Sequence, residues 1–369
     1  MKRLNRQDLM DILSGCTILG TGGGGDLSEG VELIDDALAR GKTFDLVDLS
    51  EVPDDALICT PYMLGAISDL PAAEEEAYER LPRLEEPPIL AAYRRFQQEL
   101  DQSFYGTVPC EMGGSNTAVA FYAAAMSGHV IVDADPAGRA VPEITHSTYY
   151  FAGLPAAPIV LANEFGELMV LENVVDDMRA ETLVRALSMV SRNDIAAIDH
   201  ALPAFRLRGA IIPGTITKAH TLGRTHRLAI EAGQDPIAAV AKAADGAVVF
   251  AGEITDCDWR TEAGFTLGTV EIAGNTQHHG SRYRISIKNE NLVAWRDGTV
   301  HAVIPDLICL FDTETGQPIQ NPHYYTSQKV AVVVLPAPAP FLAPRGLDTF
   351  GPRYAGVDGH FVSPLISEA

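Results

Sequence analysis

The sequence lacks any pairing of cysteines: Cys16, Cys59, Cys110, Cys257 and Cys309 are odd in number, far apart, and never in a C-x-x-C arrangement. That excludes a disulfide framework or a zinc knuckle written in the spacing, and points to a reducing compartment. No apolar run approaches the roughly 18 residues of a membrane span, and the basic residues of "MKRLNRQDLMDIL" lead into no apolar signal core. A cytoplasmic protein is expected. Basic residues are scarce, with 27 Lys and Arg against 49 Asp and Glu and a net charge of -22. Such a chain repels phosphate backbones and anionic bilayers, so neither nucleic acid nor a membrane is expected as a partner. Internal repeats and low-complexity tracts are also missing.

A chain of 369 residues buries a sizeable core without metal or disulfide support. Asn5 can cap a helix from Arg6 to Ser14, followed by the short apolar segment "CTILG". After the glycines, Asp26 and Glu29 have capping-box spacing, and Leu27, Val31, Ile34 and Leu38 form an apolar stripe that Gly41 ends. Strands are expected at 43–49, 56–60, 129–135, 157–162 and 167–172. A Glu- and Pro-rich segment from Pro71 to Asp101 reads as a solvated helical excursion. Asn116 can cap a small-residue helix closed by Gly128, and a helix over 176–192 joins the two halves. Beyond Arg206, short strands with turn residues predominate, beginning with "RGAIIPGTITK" and broken by helical patterns at 225–232 and 236–244. The fold class expected is an α/β N-terminal domain, residues 1–170, with a second, mostly β C-terminal domain, residues 171–369.

The run "GTGGGGD" carries the first candidate chemistry. Gly20, Gly22 and Gly25 satisfy G-x-G-x-x-G, and Asp45 follows at the distance of a ribose-binding acid. Against a dinucleotide site, a helix rather than a full strand precedes the loop, and Asp26 brings a carboxylate to the place where pyrophosphate would bind. The Lys-Ser/Thr ending of a phosphate-binding loop is missing as well. Gly22, Gly23, Gly24 and Gly25 are therefore expected to let backbone approach a small ligand, the alternative being a plain tight turn.

In "PCEMGGSN", Cys110 and Glu111 stand before Gly113, Gly114 and a helix start, where the dipole would lower a thiol's pKa. A buried hydrophobic cysteine is the other reading. In "DADPAGRAVPEITHS", Asp133 and Asp135 leave a strand end, followed by Arg139, Glu143 and His146. Glu143 and His146, three apart, would share a helix face and could bind a metal together. Alternatively Arg139 pairs with an aspartate as a structural ion cluster and His146 faces solvent. Lys218, His220 and Arg224, the acids Glu253, Asp256 and Asp258 beside Cys257, and Glu290 lack ligand spacing and read as solvated strand ends. The pair His278 and His279 reads as a hairpin tip.

The segments "GCTILGTGGGGD", "CEMGGSN" and "DADPAGRAVPE", in this order, resemble the S-methyl-thiohydantoin desulfurase domain family over essentially the whole chain. The resemblance implies an α/β domain followed by a β-rich one. It also implies removal of sulfur from a thiohydantoin-type ring by water attack at the carbon between the ring nitrogens. On that reading Cys110, Glu111, Asp133 and Glu143 are candidate catalytic groups. Gly22–Gly25, Gly113, Gly114, Asn116, Asp135, Arg139 and Lys218 would bind the small-molecule substrate, with Arg139 on an anionic ring or carboxylate. His146 or Cys110 would hold a divalent metal such as zinc or assist sulfur departure, and Cys110 as covalent nucleophile is a variant. Two other classes stay open: a non-catalytic subunit that binds a hydantoin-like metabolite beside a hydantoinase-type partner, and a nucleotide-dependent enzyme. A homo-oligomer is expected.

Overall fold

The computed structural model describes residues 1–66, 70 and 72–366. Pro71, the expected start of the solvated excursion, and the last three residues of the expected C-terminal domain lie outside them. Strand β1 (Lys2–Leu4) leads into helix α1 (Arg6–Leu19). A reciprocal capping box starts α1: the Asn5 side chain accepts from the Asp8 amide and the Asp8 carboxylate from the Asn5 amide. The helix does not stop at Ser14. "CTIL" is its last turn, because Cys16, Ile18 and Leu19 are buried there. Helix α2 (Leu27–Ala39) is capped by Asp26, which accepts from the Ser28 amide; Glu29 does not complete the expected box.

Strands β2 (Phe44–Val47) and β3 (Leu57–Gly65) precede helices α3 (Ala72–Glu79) and α4 (Pro88–Leu100). The latter corrects the reading of a solvated excursion: Ile89, Ala92, Tyr93 and Phe96 recur at helical spacing and are buried. After β4 (Gly106–Thr107), helix α5 (Asn116–Ser127) ends at Gly128 in the left-handed conformation. The stretch expected as one strand over 129–135 divides into β5 (Val130–Val132) and β6 (Ala134–Asp135). Helix α6 (Thr148–Ala152), strands β7 (Ile159–Ala162) and β8 (Leu168–Leu171), and helix α7 (Asp177–Met189) follow.

Strand β9 (Asp194–Pro203), not expected from the sequence, decides the architecture. One mixed sheet runs β1-β2-β5-β4-β3-β9-β7-β8, parallel from β2 to β3 and antiparallel elsewhere. A strand from beyond residue 171 therefore sits in the middle of the N-terminal sheet. Helix α8 (Ala204–Leu207) and strand β10 (Ile212–Pro213), which pairs with β6, come next. The strand expected in "RGAIIPGTITK" is confined to β10, because helix α9 (Thr215–Glu231) begins within it. This helix crosses α1 in backbone contact: a Cβ on Gly15 would overlap the Ala219 carbonyl, and one on Gly223 the Asp11 carbonyl.

Helix α10 (Pro236–Ala243) leads into a seven-stranded antiparallel sheet. Its strands are β11 (Ala247–Glu262), β12 (Phe265–Gly274), β13 (Arg282–Lys288), β14 (Glu290–Arg296), β15 (Thr299–Val303), β16 (Leu307–Asp312) and β17 (Lys329–Leu335). Alternation along β13 buries Tyr283, Ile285 and Ile287 and turns the intervening residues outward. Short helices α11 (Ala339–Leu342) and α12 (Pro344–Thr349) place Phe341 and Phe350 on a core shared with Ala137 of the N-terminal half. The second half is mostly β, as expected, and its sheet is antiparallel.

Candidate functional site

A cavity of ≈ 490 Å³ opens between the two sheets. Its walls unite the quoted segments: Gly22–Gly25 from the glycine run, Cys110, Glu111 and Asn116 from "CEMGGSN", and Val141 to Glu143 from "RAVPE". The C-terminal half adds Asn289, Glu290 and Asn321. Three loops bring these residues together by close backbone approach. A Cβ on Gly24 would overlap Gly113, and the Gly24 carbonyl accepts from both the Ser115 and Asn116 amides at 3.1 Å. Gly113 and Gly114 thus serve loop packing and are not among the cavity-lining residues.

These bonds also correct the nucleotide reading. The first amides of α5 are taken by Gly24, Asp26 caps α2, and Asp45 is held by Arg3 on the surface at 2.9 Å. By contrast, the amides of Gly24 and Gly25 have no acceptor among the described residues. Asn116 does not cap its helix. Its carbonyl oxygen accepts from the Met63 amide (2.8 Å) and its amide group donates to Glu111 Oε1 (2.7 Å).

The electrostatics of the cavity depart from a nucleophile-centred site. Burial pushes the Cys110 thiol well above its ordinary range, and Glu111 adds to the shift. The lowering expected from a helix dipole is overridden by desolvation and neighbouring acids. Glu111 is raised by burial against the opposing bonds from Asn116 and the Val141 amide (2.7 Å). Glu143 lies in the wall, but Lys288 Nζ and Tyr354 Oη each bind its Oε1 at 2.5 Å. Burial opposes ionisation there, yet His146, Lys288 and Tyr354 outweigh it and its pKa is lowered. Glu143 is an anchored anion rather than a base poised near neutrality.

Several expected site residues are held elsewhere. Asp133 accepts from the Thr217 amide and hydroxyl at the start of α9, which explains its carboxylate without substrate. Asp135 is fully buried, accepts from the Ala137 and Gly138 amides at 2.9 Å, and is raised to about 7 by burial. Arg139 pairs with neither aspartate and is not among the cavity-lining residues. Its guanidinium donates to the carbonyls of Pro305 (2.6 Å), Asp306 (2.9 Å) and Ala140 (2.9 Å), and to Thr21, clamping the two halves together. Burial lowers its pKa to about 10, which leaves it charged at neutral pH. Lys218 lies on α9 outside the lining residues.

His146 is neither in solvent nor on a helix with Glu143. It is buried between the rings of Phe350 (4.6 Å) and Tyr354 (4.4 Å), its Nδ1 has no partner, and burial lowers its pKa to about 3. No group of three or more His, Cys, Asp or Glu among the described residues could hold a metal ion. The residues present do not fit the zinc expected at His146.

Sequence reasoning missed the opposite wall. Asp199 and His200 lie on β9 at a bulge, where pairing with β3 slips between Ile58 and Thr60. His200 there has φ 42°, a left-handed conformation rare outside glycine, and a bulge re-aims a side chain in this way. His200 Nδ1 meets Asp199 Oδ1 at 2.8 Å, and Nε2 meets the Leu154 carbonyl at 3.3 Å. The Tyr62 hydroxyl donates to Asp199 Oδ2 (2.9 Å), and Tyr149 stacks on His200 with centroids 4.1 Å apart. All four side chains line the cavity and are nearly inaccessible. The only sequence signal was "DH" inside an apolar small-residue run.

Glu290 is the second residue underrated by sequence. It is 2% exposed, lines the cavity, and its Oε2 is buried without a hydrogen-bond partner. Burial raises its carboxyl well above the usual range and Glu111 adds to the shift, while Arg139 opposes it. It presses on the glycine run: a Cβ on Gly23 would lie 2.6 Å from its Cδ. The expected solvated strand end is therefore a buried carboxyl group.

Two family models match the chain, S-Me-THD-like, N-terminal domain, over residues 7–173 and S-Me-THD-like, C-terminal domain, over residues 175–364. No curated protein matches it. The crystal structure of a protein from Chromobacterium violaceum is similar, with a TM-score of 0.75 at 24% sequence identity over 98% of this chain and 99% of that one. That likeness concerns the fold alone.

Proposed function

The chain belongs to the S-Me-THD-like family, and from that premise we propose that it removes sulfur hydrolytically from a thiohydantoin-type ring held in the cavity between its halves. The observation that carries the reading is Glu290, a buried carboxyl with an unpartnered oxygen in the cavity wall. Leaving such an atom unsatisfied costs about 1–3 kcal/mol, and a bound ring that presents a polar atom there would recover it.

In the proposed reaction the oxygen of a water bonds to the ring carbon between the nitrogens. The Asp199 carboxylate, which His200 and Tyr62 hold in the cavity wall, takes the proton that this water loses. The carbon–sulfur bond then breaks, the carboxylic proton of Glu290 goes to the departing sulfur so that a thiol leaves, and the proton remaining on the new oxygen passes to the ring nitrogen whose double bond to the carbon opened in the addition, so that the carbon keeps the oxygen as a carbonyl. Proton exchange with solvent returns the acid and the base to their starting states. The free amides of Gly24 and Gly25 would meet negative charge developing on the ring. Tyr62 would hold Asp199, and through it His200, in register.

The test is thiol release from S-methyl-thiohydantoins in water labelled with heavy oxygen, with label expected in the ring carbonyl. Asp199→Asn and Glu290→Gln should each lower kcat by roughly 10²–10⁴. Tight binding of the corresponding hydantoins with no thiol released from any ring would replace this reading with that of a binding subunit.

A further inference from the structure

The mouth of the same cavity is lined by Asp26, Glu29 and Asp194, contributed by the glycine run, the first turn of α2 and the start of β9. Three carboxylates at one opening repel one another unless cations sit among them. Asp26 is partly answered by His323 at 3.7 Å and by the Ser28 amide. Glu29 and Asp194 have no cationic partner among the described residues, whereas Glu164 pairs with Arg83 and Arg192, Glu75 with Arg192, and Asp35 with Arg6. Desolvation and then Asp26 raise the Glu29 carboxyl, and desolvation and then Glu29 raise Asp194.

Among the described residues, the cavity behind the mouth offers no free cation to an anionic ligand. Arg185 is the arginine in its wall, and its guanidinium is taken by Glu181 (2.7 Å) and by the carbonyls of Pro142 (2.9 Å), Gly264 (3.0 Å) and Gly65 (3.3 Å). Arg139 is spent on the domain clamp. Deeper in the same cavity, Glu290 keeps its unpartnered buried oxygen, which marks the space as one that awaits a polar ligand. One end of the cavity is thus arranged for a ring and the other for positive charge.

We propose that the substrate's ring substituent ends in a cation, an ammonium or guanidinium, which Glu29 and Asp194 bind at the mouth while the ring lies against Glu290 and the glycine run. This rests on the proposed reading of the cavity as a thiohydantoin site and adds the substrate class. Two carboxylates within a few ångströms of one cation at an open mouth are expected to favour it over a neutral group by about tenfold or more. A carboxylate in its place is disfavoured by a similar factor.

The experiment compares S-methyl-thiohydantoins whose ring carries an aminobutyl, a guanidinopropyl, a pentyl or a carboxyethyl group, by kcat/KM for thiol release. In parallel, calorimetry measures binding of the four corresponding hydantoins. Cationic rings should exceed the pentyl ring at least tenfold, mainly in KM, with the carboxyethyl ring last. Glu29→Gln with Asp194→Asn should bring the ratio of cationic to pentyl rings to within about twofold, and raising the salt concentration should move the wild-type ratio the same way. Thiol release with equal preference for pentyl and cationic rings overturns the mouth proposal and leaves the desulfurase reading standing. If no ring releases thiol, that reading fails, and calorimetry still decides the mouth: tenfold tighter binding of cationic hydantoins supports it, equal or absent binding overturns it.

Discussion

Replacing Glu290 by glutamine keeps the shape of the side chain and removes its proton, so it separates the acid from the packing. The wild-type carboxyl is 2% exposed, its Oε2 has no partner, and burial raises it well above the usual range. In the unfolded chain the same group ionises near pH ~4.3. Because the folded value is raised, the unfolded state binds fewer protons than the native state above that pH, and stability falls as pH rises. The contribution is fully present below about pH 4.3 and is lost at up to ~1.4 kcal/mol per pH unit until the native carboxyl ionises. Glutamine does not titrate. The stability of the Glu290→Gln variant relative to wild type should therefore climb as pH rises above about 4.3, by up to ~1.4 kcal/mol per pH unit while the native carboxyl keeps its proton, read from urea denaturation at fixed pH values. At pH 7 the variant should be the poorer catalyst, by roughly 10²–10⁴ in thiol release. Parallel pH profiles for the two proteins, with turnover undiminished, would refute both the buried neutral acid and its catalytic use.

Gly23→Ala sets a methyl group 2.6 Å from Glu290 Cδ and 2.9 Å from its Cγ, and should lower stability by about 1–3 kcal/mol through overpacking. Adding Glu290→Ala should restore the thermal midpoint in calorimetry but not thiol release. Cys110→Ser should retain kcat within about tenfold, because a thiol pushed up by burial and by Glu111 is a poor nucleophile at neutral pH; iodoacetamide should accordingly modify the wild-type residue slowly at pH 8. Trapping of a covalent ring adduct on Cys110 by mass spectrometry would contradict this. Arg139→Lys forfeits a planar fork that reaches three carbonyls, those of Pro305, Asp306 and Ala140, and should destabilise the protein by about 2–4 kcal/mol in denaturant titrations. A loss of under ~0.5 kcal/mol would show that the clamp contributes nothing beyond a surface charge.

Much of the fold was legible because local signals agree with it. Asn5 and Asp26 do cap their helices, Gly128 ends α5, and the alternating runs after Gly246 are strands. The motifs at Gly22–Gly25, Cys110–Glu111 and Val141–Glu143 do meet around one cavity. What sequence could not supply was the direction of side chains. Asp133 and Arg139 bear the residue types of a site, but one faces the start of α9 and the other the carbonyls of the opposite half. Nothing in the spacing distinguishes a carboxylate that caps a helix from one that meets a ligand. Glu290 was read as a solvated strand end because it lacks ligand spacing, whereas the Gly23 backbone packs onto it from far away in sequence. His200 was invisible because its orientation depends on a bulge against β3, a property of strand pairing.

The central position of β9 has a consequence for how this protein can be divided. A fragment that ends where the family's N-terminal model does, at residue 173, would take β3 and β7 but not the strand that joins them. It would expose two facing rows of unpaired backbone, an invitation to self-association, and it would lack His200 and Asp199 altogether. The complementary fragment would carry an apolar strand with no sheet to enter. The two matched regions of this chain therefore form one cooperative folding unit, and neither is expected to fold without the other.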